Sequence, residues 1–206
     1  MEDDNILAVV LAGGKSERFG FDKSQAKLGN KTLIEHVLNK IKPFFENKLI
    51  VTKNSLEDID TQNIEIINDC IKGHLGPLVG VLSAMKWAEK KLPQINWIIT
   101  FPCDTPFFDN NIINEFKKKT KLSESLLYFA ISKKRRHNIF GLWSLKLLKT
   151  LENDIIKNNH RKVEVWADKI GMKNINIKND NFDSFFNINT KSDLMVAEKI
   201  LKKKND

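Results

Sequence analysis

The residues best equipped for chemistry stand directly after runs of apolar sequence. The first group, Leu11-Ala12-Gly13-Gly14-Lys15-Ser16-Glu17-Arg18-Phe19-Gly20-Phe21-Asp22-Lys23, follows the run Ile6-Leu7-Ala8-Val9-Val10. Glycines let a backbone come close to a phosphate and present its N–H groups, while Lys15, Arg18 and Lys23 bring positive charge to the same loop. Neither common phosphate fingerprint fits. Val9 stands where a P-loop needs glycine, and Gly13 and Gly14 are adjacent where a dinucleotide-binding turn spaces its glycines. A nucleoside triphosphate site is the expectation, set against an ordinary tight strand-to-helix connection.

Asp69 follows a short apolar segment ending at Asn68, where a carboxylate can accept from a ribose or a base N–H edge, or merely cap the turn. Asp104 sits in Phe101-Pro102-Cys103-Asp104-Thr105-Pro106, held between two prolines at a strand end. One rigidly placed carboxylate suits Mg²⁺, which fills its other positions with phosphate oxygens and water; the plainer alternative is an aspartate opening a helix. In Phe186-Asn187-Ile188-Asn189-Thr190, Asn187 and Asn189 share a side if the segment is extended, offering amide donors and acceptors, while Asn189 or Thr190 is also placed to cap the following helix. His36, His74, His137 and His160 show no metal-ligand spacing, and serine-nucleophile signatures are absent.

Elements that place these residues are readable from hydrophobic periodicity. Ile6–Leu11 is a continuous apolar run, the pattern of a strand buried on both faces. Thr32 opens a helix through Leu33, Val37, Leu38, Ile41 and Phe44, with Glu35 completing a capping box. Lys48 to Val51, Glu65 to Asn68 and Trp97 to Phe101 read as strands, and Gly76-Pro77 opens a helix between the last two. Strand–helix–strand units of this kind build a parallel sheet through right-handed crossovers, and ligands of such sheets collect at the carboxyl ends of the strands. Further on, the pattern predicts a helix from about Asn110 to Lys119, then strands at Leu126 to Ser132 and Ile139 to Trp143 flanking a basic turn, Lys133 to His137. Helices near Ser144 to Asn153 and Val163 to Ile170, a strand near Asn174 to Ile177 and a helix from Ser192 to Lys203 follow. The expected fold class is α/β: a Rossmann-like three-layer α/β/α sandwich, mainly parallel with a mixed edge, in one domain spanning 1–206.

Composition narrows the classes of function. The 206 residues are 41% hydrophobic and 29% charged, which is the balance of a folded globular chain. No apolar run approaches the roughly 20 residues of a membrane-spanning helix, and the acidic start Met1-Glu2-Asp3-Asp4-Asn5 does not resemble a secretory leader. Two cysteines, Cys70 and Cys103, make neither a disulfide framework nor a zinc set. A reducing compartment, the cytoplasm, is expected. Net charge is +8, yet only Arg18, Arg135, Arg136 and Arg161 among the 34 basic residues are arginine, and no aromatic-interleaved basic patch appears. Nucleic acid is therefore not the expected partner, and polyanionic small ligands are.

Taken together, the Leu11–Gly20 segment, Asp22-Lys23, Gly76-Pro77-Leu78-Val79-Gly80, Pro102-Cys103-Asp104-Thr105-Pro106 and Asn187-Ile188-Asn189-Thr190 resemble, in order and spacing along nearly the whole length, the molybdenum cofactor guanylyltransferase (MobA) family. Single motifs are shared with sugar-nucleotide pyrophosphorylases and cytidylyltransferases of the nucleotide-diphospho-sugar-transferase-like fold; the combination is narrower. The resemblance implies transfer of GMP from GTP to the terminal phosphate of molybdopterin, usually with molybdenum bound, and release of pyrophosphate. It implies that the Leu11, Ala12, Gly13 and Gly14 turn holds the nucleotide, with Lys23 on the phosphates, Asp69 at the nucleoside and Asp104 on Mg²⁺. Asn187 and Asn189 would line the pterin side or the metal. Residues 1–106 would form the GTP and Mg²⁺ half and 107–206 the acceptor half, with molybdenum-insertion and molybdoenzyme-maturation proteins as partners. The chain departs from the family at Phe19, often methionine, and at Thr52, often asparagine, with Asn54 two residues on. Alternatives are a cytidylyl- or sugar-nucleotide transferase of the same fold and a non-catalytic chaperone of molybdoenzymes.

Overall fold

Every residue of the first strand, β1 (Ile6–Leu11), is buried, and its side chains alternate between two cores. Ile6, Ala8 and Val10 face one layer of helices while Leu7, Val9 and Leu11 face the other, which is why the sequence shows an unbroken apolar run. The computed structural model describes residues 5–13, 25–53, 56, 59–73, 76–122, 124–177 and 184–205. After β1 come a small hairpin of β2 (Lys27–Leu28) and β3 (Lys31–Thr32), then α1 (Leu33–Ile41), β4 (Lys48–Val51), β5 (Glu65–Ile67), α2 (Pro77–Lys91), β6 (Trp97–Pro102) and α3 (Asn111–Leu122). The second half adds β7 (Leu127–Ser132), β8 (Arg135–Ser144), a 3-10 turn at Leu145–Leu147, α4 (Leu148–Ile156), α5 (Val163–Ile170), β9 (Lys173–Asn176) and α6 (Lys191–Asn205).

Among the described residues, seven strands form one sheet in the order β5-β4-β1-β6-β8-β7-β9. The first four are parallel, β8 runs antiparallel to both β6 and β7, and β9 pairs parallel with β7. Helices α1 and α3 cover one face and α2, α4 and α5 the other, giving the expected three layers. A third, smaller apolar cluster joins the β2–β3 hairpin to α6 through Leu28, Leu33, Phe107, Ile188 and Ala197.

Local signals explain the element starts. Thr32 Oγ1 accepts from the Glu35 N–H at 3.3 Å and Glu35 Oε2 accepts from the Thr32 N–H at 2.7 Å, the reciprocal cap that opens α1. Pro77 occupies the first turn of α2, where its missing N–H costs nothing. The second half departs from the sequence pattern at several points. Strand β8 begins at Arg135 rather than Ile139, so the turn is confined to Lys133 and Lys134, both with positive φ. Pairing of Arg135 with Ser132 and Arg136 with Ile131 draws these charged residues into the ladder despite their polarity. The helix expected from Ser144 is a 3-10 turn followed by α4, because Ser144 Oγ accepts from the Lys146 N–H and tightens the first turn.

Asp154 ties α4 to α5. Its carboxylate accepts from Lys169 Nζ at 2.6 Å, Asn158 Nδ2 at 2.7 Å and the buried Trp166 Nε1 at 2.9 Å. Burial pushes this carboxyl up, but the three hydrogen bonds outweigh it and hold it below its ordinary value. Such a group stabilises the fold at pH values above the unfolded carboxylate's, roughly 4, and the contribution is lost as pH falls through the lowered native value. Asp154→Ala should cost about 2–3 kcal/mol at neutral pH, since it leaves the Trp166 N–H buried without an acceptor. Urea denaturation at pH 7 and at roughly pH 3 should show the difference from the parent shrinking in acid.

Candidate active site

The carboxyl ends of the four parallel strands are in register, with Ile67, Val51, Leu11 and Pro102 side by side across β5, β4, β1 and β6. Backbone pairing continues one residue past each: Ala12 N–H donates to Val51 O at 2.9 Å, Thr52 N–H to Ile67 O at 3.0 Å and Cys103 N–H to Leu11 O at 3.2 Å. Connections leave β1 toward β4 on one side and return to β6 on the other, so the crevice between β1 and β6 is the topological switch point of the sheet. Leu11, Ala12 and Gly13 lie on one lip of that crevice and Asp104 on the other.

Asp69 lies beside the same edge, just past β5. Its carboxylate pairs with Lys53 at 3.3 Å and is mostly shielded, at 16% exposure. The turn that carries it is pinned to α2, because Ser83 Oγ accepts from the Cys70 N–H at 2.8 Å and donates to Val79 O at 2.7 Å. Helix α2 comes this close because residue 80 is glycine: a Cβ there would stand 3.1 Å from Leu11 Cδ2 and 3.8 Å from Asp69 Oδ1. Gly14, Lys15, Arg18, Phe19, Lys23 and Asn54 lie outside the described residues.

The backbone carbonyl of Asp104 accepts from the Ile188 N–H at 2.9 Å, which brings the Asn187–Thr190 segment against the end of β6. Asp104 and Asn187 thereby share a cleft of about 240 Å³ with the start of β8, including Arg135, His137 and Asn138. Thr105 Oγ1 donates to Asp104 Oδ1 at 3.1 Å. Arg136 is committed to α5, bonding Asp168 at 2.6 Å and Glu164 at 3.3 Å, and its guanidinium holds the Asp168 carboxyl below the usual range. Arg135, beside it, is exposed at the cleft. His137 stacks on Phe185 with ring centroids 3.8 Å apart, and its Nε2 lies 2.8 Å from Ser132 Oγ. Asn189 takes a different place: it is exposed, and its N–H donates to Asp193 Oδ2 at 2.9 Å beside a reciprocal cap between Thr190 and Asp193 that starts α6. The structure thus joins Asp104 and Asn187 in one cleft, sets Asp69 farther along the sheet edge, and makes Thr190 the cap.

Two larger hollows, of about 530 and 330 Å³, open at the amino ends of the strands near Asn5, Asn96 and Lys146 and near Glu46, Lys48 and Trp87. Among the described residues, the buried side-chain oxygens without a hydrogen-bond partner belong to Asn110, Tyr128, Asn138 and Asn187. None of these residues borders the larger hollows, whereas Asn138 and Asn187 both line the cleft at Asp104. Asn138 is the site residue that the sequence did not single out; an asparagine directly before the apolar stretch Ile139 to Trp143 was the available signal.

The MobA-like NTP transferase domain matches residues 8–169 of this chain, from within β1 to the last turn of α5. The chain belongs to that family. It is accordingly a nucleotidyltransferase, and the resemblance to molybdenum cofactor guanylyltransferases drawn from its motifs is borne out. Molybdenum cofactor guanylyltransferase of Rhizobium leguminosarum bv. trifolii is 33% identical over 95% of this chain and 93% of its own, and that of Haemophilus influenzae strain 86-028NP is 31% identical over 92% and 95%. Among solved structures, molybdopterin-guanine dinucleotide biosynthesis protein A from Archaeoglobus fulgidus superposes with a TM-score of 0.77 at 26% identity, covering 96% of this chain and 99% of that one. The fold is shared more widely: 4-diphosphocytidyl-2C-methyl-D-erythritol synthase from Anaerococcus prevotii reaches a TM-score of 0.72 at 12% identity.

Proposed function

We propose that this nucleotidyltransferase moves GMP from GTP to the phosphate of molybdopterin, with or without bound molybdenum, and releases pyrophosphate. The observation that carries the reading is the position of Asp104, at the switch point of the sheet and at the mouth of a cleft edged by Arg135 and Asn187. A nucleotide lying along the strand ends and an acceptor in that cleft meet at its carboxylate. The names of the relatives support a guanine nucleotide and molybdopterin as the substrates.

In the step itself, an oxygen of the acceptor phosphate bonds to the α-phosphorus of GTP while the bond from that phosphorus to the α,β-bridging oxygen breaks, and the electron pair leaves with pyrophosphate. A phosphate monoester is already nucleophilic at neutral pH, so the chain needs no general base; it must neutralise charge and align the partners. Residues 1–106 provide the donor side: the turn at Leu11, Ala12, Gly13 and Gly14 and the Lys23 ammonium hold the triphosphate, and Asp69 faces the nucleoside. Residues 107–206 provide the acceptor side, with Asn187 along it and Arg135 at its mouth, while Asn189, exposed beside the cap of α6, stands outside the cleft. Asp104 offers carboxylate oxygen at the strand end where the triphosphate would lie, a donor chemistry that fits Mg²⁺ with phosphate oxygens and water in its other positions. Asp104 would hold the Mg²⁺, which would supply positive charge against the charge that develops on the leaving group. No described helix is long and apolar enough to cross a membrane, and the cytoplasm, where molybdenum-insertion and molybdoenzyme-maturation proteins would exchange the cofactor, is the proposed setting.

The test is to incubate the protein with Mg²⁺, molybdate-loaded molybdopterin and GTP, CTP, ATP or UTP in parallel, measuring pyrophosphate together with the mass of the pterin product. GTP-selective release with a guanylylated pterin is expected. Turnover with CTP would move the protein to cytidylyl transfer, and silence with all four would leave a binding role.

A further inference from the structure

Strand β8 carries an irregularity that the sheet does not need. Phe129 of β7 pairs with Gly141 and the next residue, Ala130, pairs with His137, so Asn138, Ile139 and Phe140 are extra residues on β8. Such bulges bend a strand and re-aim its side chains, and they recur beside active sites. Two of the three extra residues are anchored by the fold. The Ile139 carbonyl accepts from Thr100 Oγ1, which in turn accepts from Trp143 Nε1 at 2.8 Å. Phe140 packs edge-on against Phe101, Phe108 and Phe185. Asn138 has no such anchor: its Oδ1 is shut off from water and accepts no hydrogen bond.

An unpaired buried amide oxygen destabilises the protein that carries it, and its retention is informative. Here two residues that carry such oxygens, Asn138 and Asn187, line one cleft, brought there from β8 and from the segment tied to Asp104. Both oxygens are hydrogen-bond acceptors without a donor. The stacked rings of His137 and Phe185 also line the cleft, and flat aromatic walls suit a planar ligand. We propose that Asn138 is a specificity-determining residue of the acceptor site, its Oδ1 acting with that of Asn187 to read the N–H edge of a planar heterocycle, while Arg135 meets the acceptor's anionic group. The inference rests on the acceptor being a pterin, whose 2-amino and lactam N–H groups form such an edge. A site whose buried acceptors require donors rejects a ligand that presents oxygen at the same place.

The probes are pterin-6-carboxylate and lumazine-6-carboxylate, which differ by replacement of the 2-amino donor with a carbonyl acceptor and whose carboxylates supply the negative charge. Binding to the full chain is read by ligand fluorescence without GTP, beside thermal denaturation and the kinetic constants for GTP and molybdopterin. The parent protein should prefer the pterin by about tenfold or more. Asn138→Leu, close in size, should erase that preference and raise the acceptor KM by about tenfold, leave the GTP KM in place, and melt no lower than the parent because the unpaired oxygen is gone. Asn138→Ala carries the same test should leucine not be accommodated, and Asn138→Gln should restore part of the preference. Unchanged preference in both variants would overturn the role of Asn138 while the transfer reaction stood. A parent that binds neither probe yet guanylylates molybdopterin would overturn the reading of the cleft as a heterocycle site, and absence of both binding and turnover would remove the proposed reaction as well.

Discussion

Asp104→Ala is expected to lower Mg²⁺-dependent transfer by about a thousandfold, the scale seen when one preorganised electrostatic group is removed from a reacting centre. The fold should survive, because the contact that organises the site is made by the Asp104 main-chain carbonyl, which alanine keeps for the Ile188 N–H. Pyrophosphate release at saturating GTP and Mg²⁺ measures the first expectation and thermal denaturation the second. A rate within a few-fold of the parent would remove the metal role from this carboxylate. A large loss of stability would instead show that the side chain, not only the backbone, holds the Asn187–Thr190 segment in place.

Gly141→Ala should be the most disruptive small substitution on the acceptor side. A Cβ at this position would lie 2.6 and 2.7 Å from ring carbons of Phe129 and 2.7 Å from Trp143 Nε1. Both rings are fully buried and packed edge to face on each other, 5.1 Å between centroids, so neither can swing aside cheaply. Forcing a methyl into such a core costs about 2–3 kcal/mol, or a melting temperature lower by about 5–10 °C for a chain of this size. Displacing Trp143 also strains its bond to Thr100, which anchors the bulge through Ile139. The acceptor KM should therefore rise more than the GTP KM. A melting temperature within about 2 °C of the parent would show that the rings have room to yield.

How far the sequence foretells this molecule depends on whether a residue's surroundings are local. Strand β1 is legible because burial on both faces leaves only apolar residues, and α1 and α2 are legible because the Thr32–Glu35 cap and Pro77 act within one turn. Asp69 and Asp104 are legible as candidates because parallel strands present their carboxyl ends to ligands. Residues 135–137 mislead: their charge reads as a turn, yet pairing with β7, a tertiary contact, decides their state. The bulge hides for a related reason, since extra residues break the two-residue period by which a strand is recognised. The two-residue strands β2 and β3 are too short to show any period. Asn187 and Asn189 look equivalent along the chain, but the Thr190 cap and the Ile188 bond to Asp104 turn one toward the cleft and leave the other exposed.

The bond between Ile188 and Asp104, and the small apolar cluster beneath α6, also join parts of the chain that lie far apart in sequence. Strands β7 and β8 meet by closing a short loop, whereas β1 reaches β6, and Ile188 reaches Asp104, only by closing loops that each take in nearly half of the chain. Long closures cost entropy before their contacts return any stabilisation, so they come late in folding. By that measure the sheet edge that carries Asp104 and the wall that carries Asn187 are equally non-local, and the cleft between them needs both closures. A chain that has made only its local contacts, such as the β7–β8 pairing, therefore has no complete cleft at Asp104.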